Sequence, residues 1–501
     1  MDSRSGRLER PLGREWTDRV RAVLDVLVET VDRAVGRCDY ADARRVVRAR
    51  ERLATRNGEV ETAAVEESDG VGVRVRVGGA WGFASSSDPG PAGAQDALRR
   101  ALAVAESQPA VAPTPLAPAP PARGHWQGPC ERDPFAIPVE RKLELLLSAD
   151  AALRGDPRIV RTQARCLSLR TTTAFASTDG GACTQTRTEC GGGILAAAVE
   201  ADELQVRSWP GEHDGGVAGA GWEQVEALRL VEEAPRVAEE AIALLAAPDC
   251  PAGVRTVVLH GEQVGLQLHE SIGHALELDR ILGGELSYAG GSWVGPGDLG
   301  SLRYGSEALG VTADATLPGG LGSFGWDDEG VPGQRLELIR SGRLLGALSS
   351  RESAGAVGLD SSGGCARADG HSRQAIVRMT NVSLDPGDAG SLADLVADTD
   401  DGLYLETNRS WSIDDRRLHF QFATEVAREI RSGELGRLYR NPSYAGITPR
   451  FWGGLDAVCG GDEWRLWGLL NCGKGEPGQV MHVSHGTAPA RFRDVQVGVA
   501  G

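Results

Sequence analysis

The chain has 501 residues, 41% of them apolar and 25% charged, with 53 basic against 70 acidic side chains and a formal net charge of −17. That length exceeds one compact core and predicts two or three domains, while the acidic balance, with no long basic run, excludes the clustered cations that nucleic acid or an anionic bilayer demands. Nine scattered cysteines with no CxxC pair, an N-terminus without an apolar core, and no window near the roughly 20 apolar residues of a span point to a reducing, cytoplasmic setting.

Residues 16–37 place Val20, Val23, Leu24, Leu27, Val28 and Val31 at helical spacing. The period then falls to two: VGVRVRV at 71–77 alternates as a strand with one buried face does, and Asn57-Gly58 upstream is a hairpin signal. AGAQDALRRALAVAES returns to helical spacing, so residues 1–107 read as an α-β-β-β-α unit. The stretch 108–137 is rich in proline, which defeats helix and ladder alike, and is expected as an extended surface linker. A helix over 138–154, strands from Ile159 to Trp209 with a turn at Asp179-Gly180-Gly181, and a helical pattern over 222–247 form a middle unit, 138–250, with Pro235 expected to kink or split the last helix.

From Pro251 short apolar runs alternate with glycine-rich turns, which predicts a mostly antiparallel β domain over 251–501. Helix candidates interrupt it near 261–281, 390–398 and 424–432. The fold class expected is therefore α+β, with N-terminal α/β units built on small antiparallel sheets and a mostly-β C-terminal domain that carries the metal-binding helix.

That helix bears HESIGH at 269–274. Two histidines with an adjacent glutamate are how many zinc peptidases assemble a site: neutral imidazoles bind the ion and the carboxylate works on water. The familiar spacing of four leaves two histidines about 40° from eclipsed, whereas the five between His269 and His274 leaves about 140°. One extra residue in the turn, a π-bulge, would bring them together, and Gly273 would ease the distortion, so an irregularity is expected at 271–274. Spacing alone leaves open two ordinary histidines on a half-buried helix. A third ligand is needed, and NCGKGEPGQVMHVSHG offers Cys472, His482 and His485.

HESIGHALELD, SYAGGSWVGPGDLGSLRYGSE, GSFGWDDEG, IVRMTN and NCGKGEPGQVMHVSHGTAPARFRDV, together with RNGEVETAAVEESDGVGVRVRVGGAWGFAS, resemble the metallopeptidase subunit of the TldD/PmbA family over residues 39–107 and 140–500. The resemblance implies zinc held by His269, His274 and Cys472, with Glu270 as the catalytic carboxylate. It implies action on unfolded or ribosomally made peptides, or in some homologues on small amino-acid conjugates. It also implies a heterodimer with a TldE/PmbA-type subunit that lacks HExxxH, this chain being similar to the catalytic partner. Ser271 replaces a common alanine in a position facing little chemistry, and the atypical segment 365–374 lies where substrate contacts are expected.

The expected chemistry is metal-assisted amide hydrolysis with Glu270 as general base. Arg367, Arg378 and Asn381 are candidate substrate contacts, since the arginine fork suits backbone or carboxylate oxygens. Lys474 is read as a solvated lysine, with an oxyanion role as the alternative; Asp327, Asp328 and Glu329 as a solvent-facing turn; the tryptophans at 209, 293, 326, 411 and 452 as packing. Two other functions remain open: a zinc amide hydrolase for a small amino-acid or peptidyl conjugate, and a non-catalytic peptide-binding scaffold.

Overall fold

A computed structural model describes residues 14–109, 112, 114–211, 216–287 and 290–500. The architecture is α+β. Helix α1 (Arg14–Asp32) precedes strands β1 (Tyr40–Arg56), β2 (Glu59–Val77) and β3 (Ala80–Ser86) and helix α2 (Pro91–Ser107). Next come β4 (Arg123–Gln127), α3 (Val139–Leu153), β5 (Ile159–Ser177), β6 (Ala182–Glu200), β7 (Glu203–Trp209), α4 (Glu223–Ala227) and α5 (Leu230–Leu245). The turn between β1 and β2 is made by Asn57 and Gly58, both at positive φ (51° and 86°), as a tight hairpin requires.

These strands form one sheet in the order β3-β2-β1-β5-β6-β4, with β7 also on β6. The join is the long antiparallel pairing of β1 with β5, from Asp42↔Ser177 to Arg56↔Gln163. Within the proline-rich stretch β4 runs parallel to β6 as an edge strand, the one sheet position where so much neighbouring proline costs no ladder bond. One sheet face is buried under helices: Ala41, Ala43, Val71, Val73 and Val75 pack with α1 and α2, while Leu53, Ala164, Cys166 and Ile194 pack with α3 and α5. The opposite face carries Arg44, Arg48 and Arg50 and is turned towards the C-terminal residues.

The break in the last helix of this part falls at Arg229, which takes a left-handed conformation (φ 50°) between α4 and α5. Pro235, expected to cause the break, lies inside an unbroken α5. A proline in the second turn removes one backbone bond, and the buried face of α5 against β6 and β7 outweighs that loss.

The C-terminal part begins with β8 (Gly253–Leu259) and α6 (Gly261–Leu268). A small sheet follows, made of β9 (Val311–Asp314), β10 (Arg335–Arg340) and β11 (Arg343–Leu344), then β12 (Ala366–Arg367) paired with β13 (Ile376–Val377), and β14 (Val382–Leu384), which joins β9. The remaining strands are β15 (Asp401–Ile413), β16 (His419–Arg431), β17 (Glu434–Tyr439), β18 (Pro442–Ile447), β19 (Leu455–Val458), β20 (Arg465–Lys474), β21 (Gln479–Thr487) and β22 (Ala490–Val499). The order β15-β8-β22-β18-β16, closed by β15 with β16, makes a small barrel, with β17 and β19 added to β16 and β22. Its core holds Phe420, Phe422, Tyr444, Phe451, Trp452 and Phe492, with Phe451 stacked on Phe492 at 4.2 Å between centroids. The helix expected over 424–432 is the second half of β16. Pairing with β15 on one side and with β17 on the other overrides its helical spacing.

Candidate metal centre

All eight residues of α6 are buried, between β15, β14 and the β20–β21 hairpin. Burying a helix that carries Gln263 and Gln267 demands partners for both amides. They share the Tyr444 hydroxyl, at 2.8 and 3.0 Å, and Gln267 also reaches the Ser271 hydroxyl at 3.0 Å.

Past Leu268 the helix widens into one π-turn, His269–Gly273, followed by a 3-10 turn, His274–Leu276. The His274 N–H bonds the His269 carbonyl five residues back. The extra residue removes the angular excess of the five-residue spacing and brings the two imidazoles to 4.6 Å between centroids. The widened turn is held from outside: the Tyr304 hydroxyl donates to the Ser271 carbonyl (2.5 Å), and the Ser271 hydroxyl donates to the Gln267 carbonyl (2.6 Å) and accepts from the Trp452 indole (2.9 Å). Ser271, expected to face little chemistry, is the hub of this support.

Gly273 has ordinary helical dihedrals (φ −52°, ψ −59°), so its conformational freedom is not used. Its role is steric, because a Cβ there would lie 2.2 Å from the Met379 sulfur.

Cys472 enters from β20, where the pairing with β21 shifts register between Leu469 and Cys472. Its Sγ lies 3.7 Å from His274 Nε2. The donor atoms of His269, His274 and Cys472 all lie within 4.8 Å of one another, and all three side chains are buried. Tetrahedral bonds of about 2.0–2.1 Å to nitrogen and about 2.3 Å to sulfur put those atoms about 3.6 Å apart. The donor set therefore fits one divalent ion.

The protonation pattern fits as well. His485 donates from Nδ1 to the Val382 carbonyl (2.7 Å), so its Nε2 accepts from Nδ1 of His269 (2.8 Å), which leaves His269 Nε2 with its lone pair free. His274 donates from Nδ1 to Glu277 (3.0 Å) and keeps Nε2 free on the side of Cys472. Burial holds His269 down at about 4 and His485 well below its ordinary value, so both rings are neutral near pH 7. Burial alone would raise the Cys472 thiol, but the Arg378 guanidinium, 3.1 Å from the sulfur, and His274 together bring it below the usual thiol range.

Behind His274 stands a buried cluster of paired charges. Glu277 is fully buried and meets Arg280 and Lys474, each at 3.3 Å. Burial would raise its carboxyl, but Lys474, His274 and Arg280 hold it well below the usual range. Lys474, expected in solvent, is fully buried and donates to both oxygens of Asp279 (2.7 and 2.9 Å) and to the Val377 carbonyl (2.7 Å). In the sequence, Glu277 shows only as an acid three residues past His274.

Glu270 is 7% exposed and uses both oxygens: Oε1 accepts from the Trp411 indole (2.8 Å) and Oε2 from Arg417 (2.7 Å). Trp411 lies near the end of β15 and Arg417 in the turn to β16, so the hairpin tip reaches the carboxylate from 141 and 147 positions away. No local pattern marks either residue.

Arg378 is fully buried and braces the hairpin through the carbonyls of Cys472 and Gln479. Arg367 donates to the carbonyls of Met379 (2.9 Å), His482 (3.1 Å) and Leu321 (3.3 Å) and lines a cleft beside the hairpin. Asn381 is buried, donating to the Asp314 carbonyl (2.6 Å) and Ser323 hydroxyl (2.8 Å). His482 is held by Glu189 at 2.5 Å and does not join the ligand cluster.

The expected solvent-facing turn at Asp327–Glu329 is instead buried against the N-terminal sheet. Glu329 pairs with Arg74 (3.0 Å), Asp328 with Arg44 (3.2 Å), and Asp327 accepts the N–H groups of Glu329, Val331 and Ala366. The segment 365–374 docks on the same sheet, Asp369 meeting Arg48 at 2.7 Å and the Arg373 carbonyl accepting from Arg44 at 2.9 Å.

Three family models match the chain: the PmbA/TldA metallopeptidase domain 1 over residues 41–105, the central domain over 132–247 and the C-terminal domain over 252–499. A metalloprotease of Methanothermobacter thermautotrophicus is 30% identical over 470 residues, covering 92% of this chain and 96% of the relative. A "Metalloprotease TldD homolog" of Haemophilus influenzae is 27% identical over 467 residues, covering 92% and 93%. Among solved structures, TldE from Thermococcus kodakarensis shares the fold with a TM-score of 0.71 at 14% identity, covering 96% of this chain and 100% of that one.

Proposed function

The chain belongs to the PmbA/TldA family of metallopeptidases, and from that premise we propose that it is a zinc-dependent catalytic subunit that hydrolyses peptide bonds in unfolded or ribosomally made peptides. The observation that carries the reading is the convergence of His269, His274 and Cys472, with Glu270 next to His269 in the chain. Two imidazoles and a thiolate make a donor set suited to zinc. Bound there, zinc would supply Lewis-acid polarisation of the scissile carbonyl and a more acidic water.

The chain's own residues do the rest. Glu270 accepts the proton of the attacking water and returns it to the leaving amine. Trp411 and Arg417 orient its two oxygens. His485 and Glu277 fix the tautomers of the ligand histidines. Arg378 favours the ionised form of the Cys472 sulfur, and Arg367, which also bonds three backbone carbonyls, lines the cleft in which substrate would lie; Asn381 acts through the strand it braces. A scaffold that only bound peptides would need none of this convergence.

The partner in this reading is a related subunit of like fold without the HExxxH motif. The nine cysteines are free thiols, in keeping with a reducing cytoplasm, and no helix among the described residues is long and apolar enough to cross a membrane.

The test is a Glu270→Gln protein, assayed for zinc content and for peptide-library cleavage with and without chelator and partner. We expect about one zinc per chain to be retained while turnover falls about 10²–10⁴-fold. Cleavage at the wild-type rate would overturn the assignment of Glu270. Cleavage confined to single-residue conjugates would replace peptides by small amides as the substrate class.

A further inference from the structure

The sheet face turned away from the helices floors a cleft of about 500 Å³, within the ~300–1,000 Å³ of typical ligand sites. Register sets Arg48, Thr171 and Arg187 side by side across β1, β5 and β6, and Arg50, Leu169 and Glu189 in the next row. The roof is Arg367 and the β21 residues Val480–His482. Across the hairpin Met481 is paired with Cys472, so the roof of the cleft is the element that delivers the sulfur to the metal centre.

Four arginines and four acids line this cleft, and the acids are mostly engaged by particular partners. Asp369 is engaged by Arg48 (2.7 Å), Glu189 by His482 (2.5 Å) and Glu66 by Arg52 (2.6 Å). Glu67 stands exposed at the rim, where water and salt screen it. The side chains of Arg50 and Arg187 make no hydrogen bond or close ion pair with any described residue, although Arg187 lies near enough to Glu189 to help hold its carboxyl down. Both are half-buried, and the Nε atoms of Arg48 and Arg50 are buried without a partner. A guanidinium cannot escape by losing its proton, so each pays a desolvation penalty that a matching anion would offset. Burial, with Arg187 and Arg378 as like-charged neighbours, already pushes Arg367 down to about 9.

We propose that the cleft is a carboxylate subsite, and that the peptides this chain processes carry an acidic group, from a side chain or from the C-terminus, next to the bond to be cut. The planar fork of arginine binds a carboxylate through two parallel hydrogen bonds. Arg50 and Arg187 sit two strands and two residues apart, about 12 Å between their Cα atoms. They therefore suit a segment with more than one carboxylate better than a lone ion. This inference rests on the peptidase reading for its substrate, but not for its binding chemistry.

The experiment uses the full-length, metal-loaded chain carrying Glu270→Gln, titrated with three labelled peptides read by fluorescence anisotropy. One contains Asp and Glu, one replaces them by Asn and Gln, and one keeps the acids but has an amidated C-terminus. The acidic peptide should bind at least about tenfold tighter than its amide match, as charged hydrogen bonds of about 1.5–3 kcal/mol require. Adding Arg50→Gln or Arg187→Gln should each cost about tenfold for the acidic peptide and leave the amide peptide unchanged, which guards against misfolding, and Arg50→Lys should recover part of the loss. A side-chain carboxylate shows as that preference with no effect of amidation; a terminal one shows as equal affinity for the first two peptides and about tenfold loss on amidation. Equal affinity for all three peptides, or indifference to both arginine substitutions, overturns the proposal. Arginine-dependent binding by a wild-type chain that cleaves no peptide would keep the subsite and remove the peptidase reading, whereas cleavage without charge preference would do the reverse.

Discussion

The sulfur of Cys472 lies 3.7 Å from Nε2 of His274, although the two residues are 198 positions apart in the chain. A buried thiol this close to an imidazole whose other nitrogen is already occupied is the arrangement expected of two residues that share an ion. Replacing Cys472 by Ala should therefore lower metal affinity by more than about 100-fold, since even outer partners of ligand histidines are worth 10–100-fold. Metal content after dialysis, measured by mass spectrometry, checks this. Full retention of the ion would remove Cys472 from the ligand set.

Glu277 and Lys474 are expected to matter through two different quantities. Glu277→Gln keeps an acceptor for His274 but loses the charge, and should weaken metal binding about 10–100-fold in a chelator competition. Lys474→Met leaves Glu277 and Asp279 buried with less compensation, and should cost about 3–5 kcal/mol of stability in denaturant titration. An unchanged denaturation midpoint would mean that the lysine is not buried as described.

Gly273→Ala places a methyl group 2.2 Å from the Met379 sulfur. Overpacking of this kind costs about 1–3 kcal/mol. Because the clash has a single partner, the double variant with Met379→Ala should be no less stable than Met379→Ala alone, a non-additivity that thermal unfolding can measure. Additive losses would argue that Gly273 is needed for its backbone instead.

Acid stability should depend on Glu189. Burial would raise its carboxyl, but His482, helped by Arg187 and Arg367, lowers it from 4.5 to about 2. A carboxyl depressed in the folded state contributes stability that is complete above about 4.5 and is lost as pH falls towards 2. The contribution is about 3 kcal/mol, from the two values and 1.36 kcal/mol per pH unit. Unfolding free energies of metal-free protein between pH 5 and 2 should fall more steeply for wild type than for Glu189→Gln. Parallel curves would contradict the pairing.

Much of this molecule was legible locally. The Asn57-Gly58 hairpin, the α+β division and the distortion of the HESIGH helix follow from turn chemistry and from counting degrees per residue. The π-turn in particular is what brings two histidines five apart onto one side of the helix. The reason assigned to Gly273 was wrong, because the neighbour that demands a glycine, Met379, is 106 positions away and no periodicity points to it.

Other errors share that cause. TEVAREIRS has helical spacing, but it pairs on both edges and forms the second half of β16. Lys474 and the Asp327–Glu329 turn carry charges that ordinarily seek water, and each is buried because its counter-charges arrive from distant segments. Trp411 and Arg417 reach Glu270 only because a hairpin folds back over α6.

By itself the sequence determined the kinds of chemistry available: two imidazoles and a carboxylate on one irregular helical turn, and a thiol within a glycine-rich tail. Those choices rest on interactions within a few residues, where backbone geometry alone sets distance. Which thiol met which imidazole, which carboxylate fixed its tautomer, and which arginines were left without a partner over the sheet were decided by tertiary packing. Coulomb and hydrogen-bond energies depend on separation and burial, and for residues hundreds of positions apart both come into being only when the strands have paired.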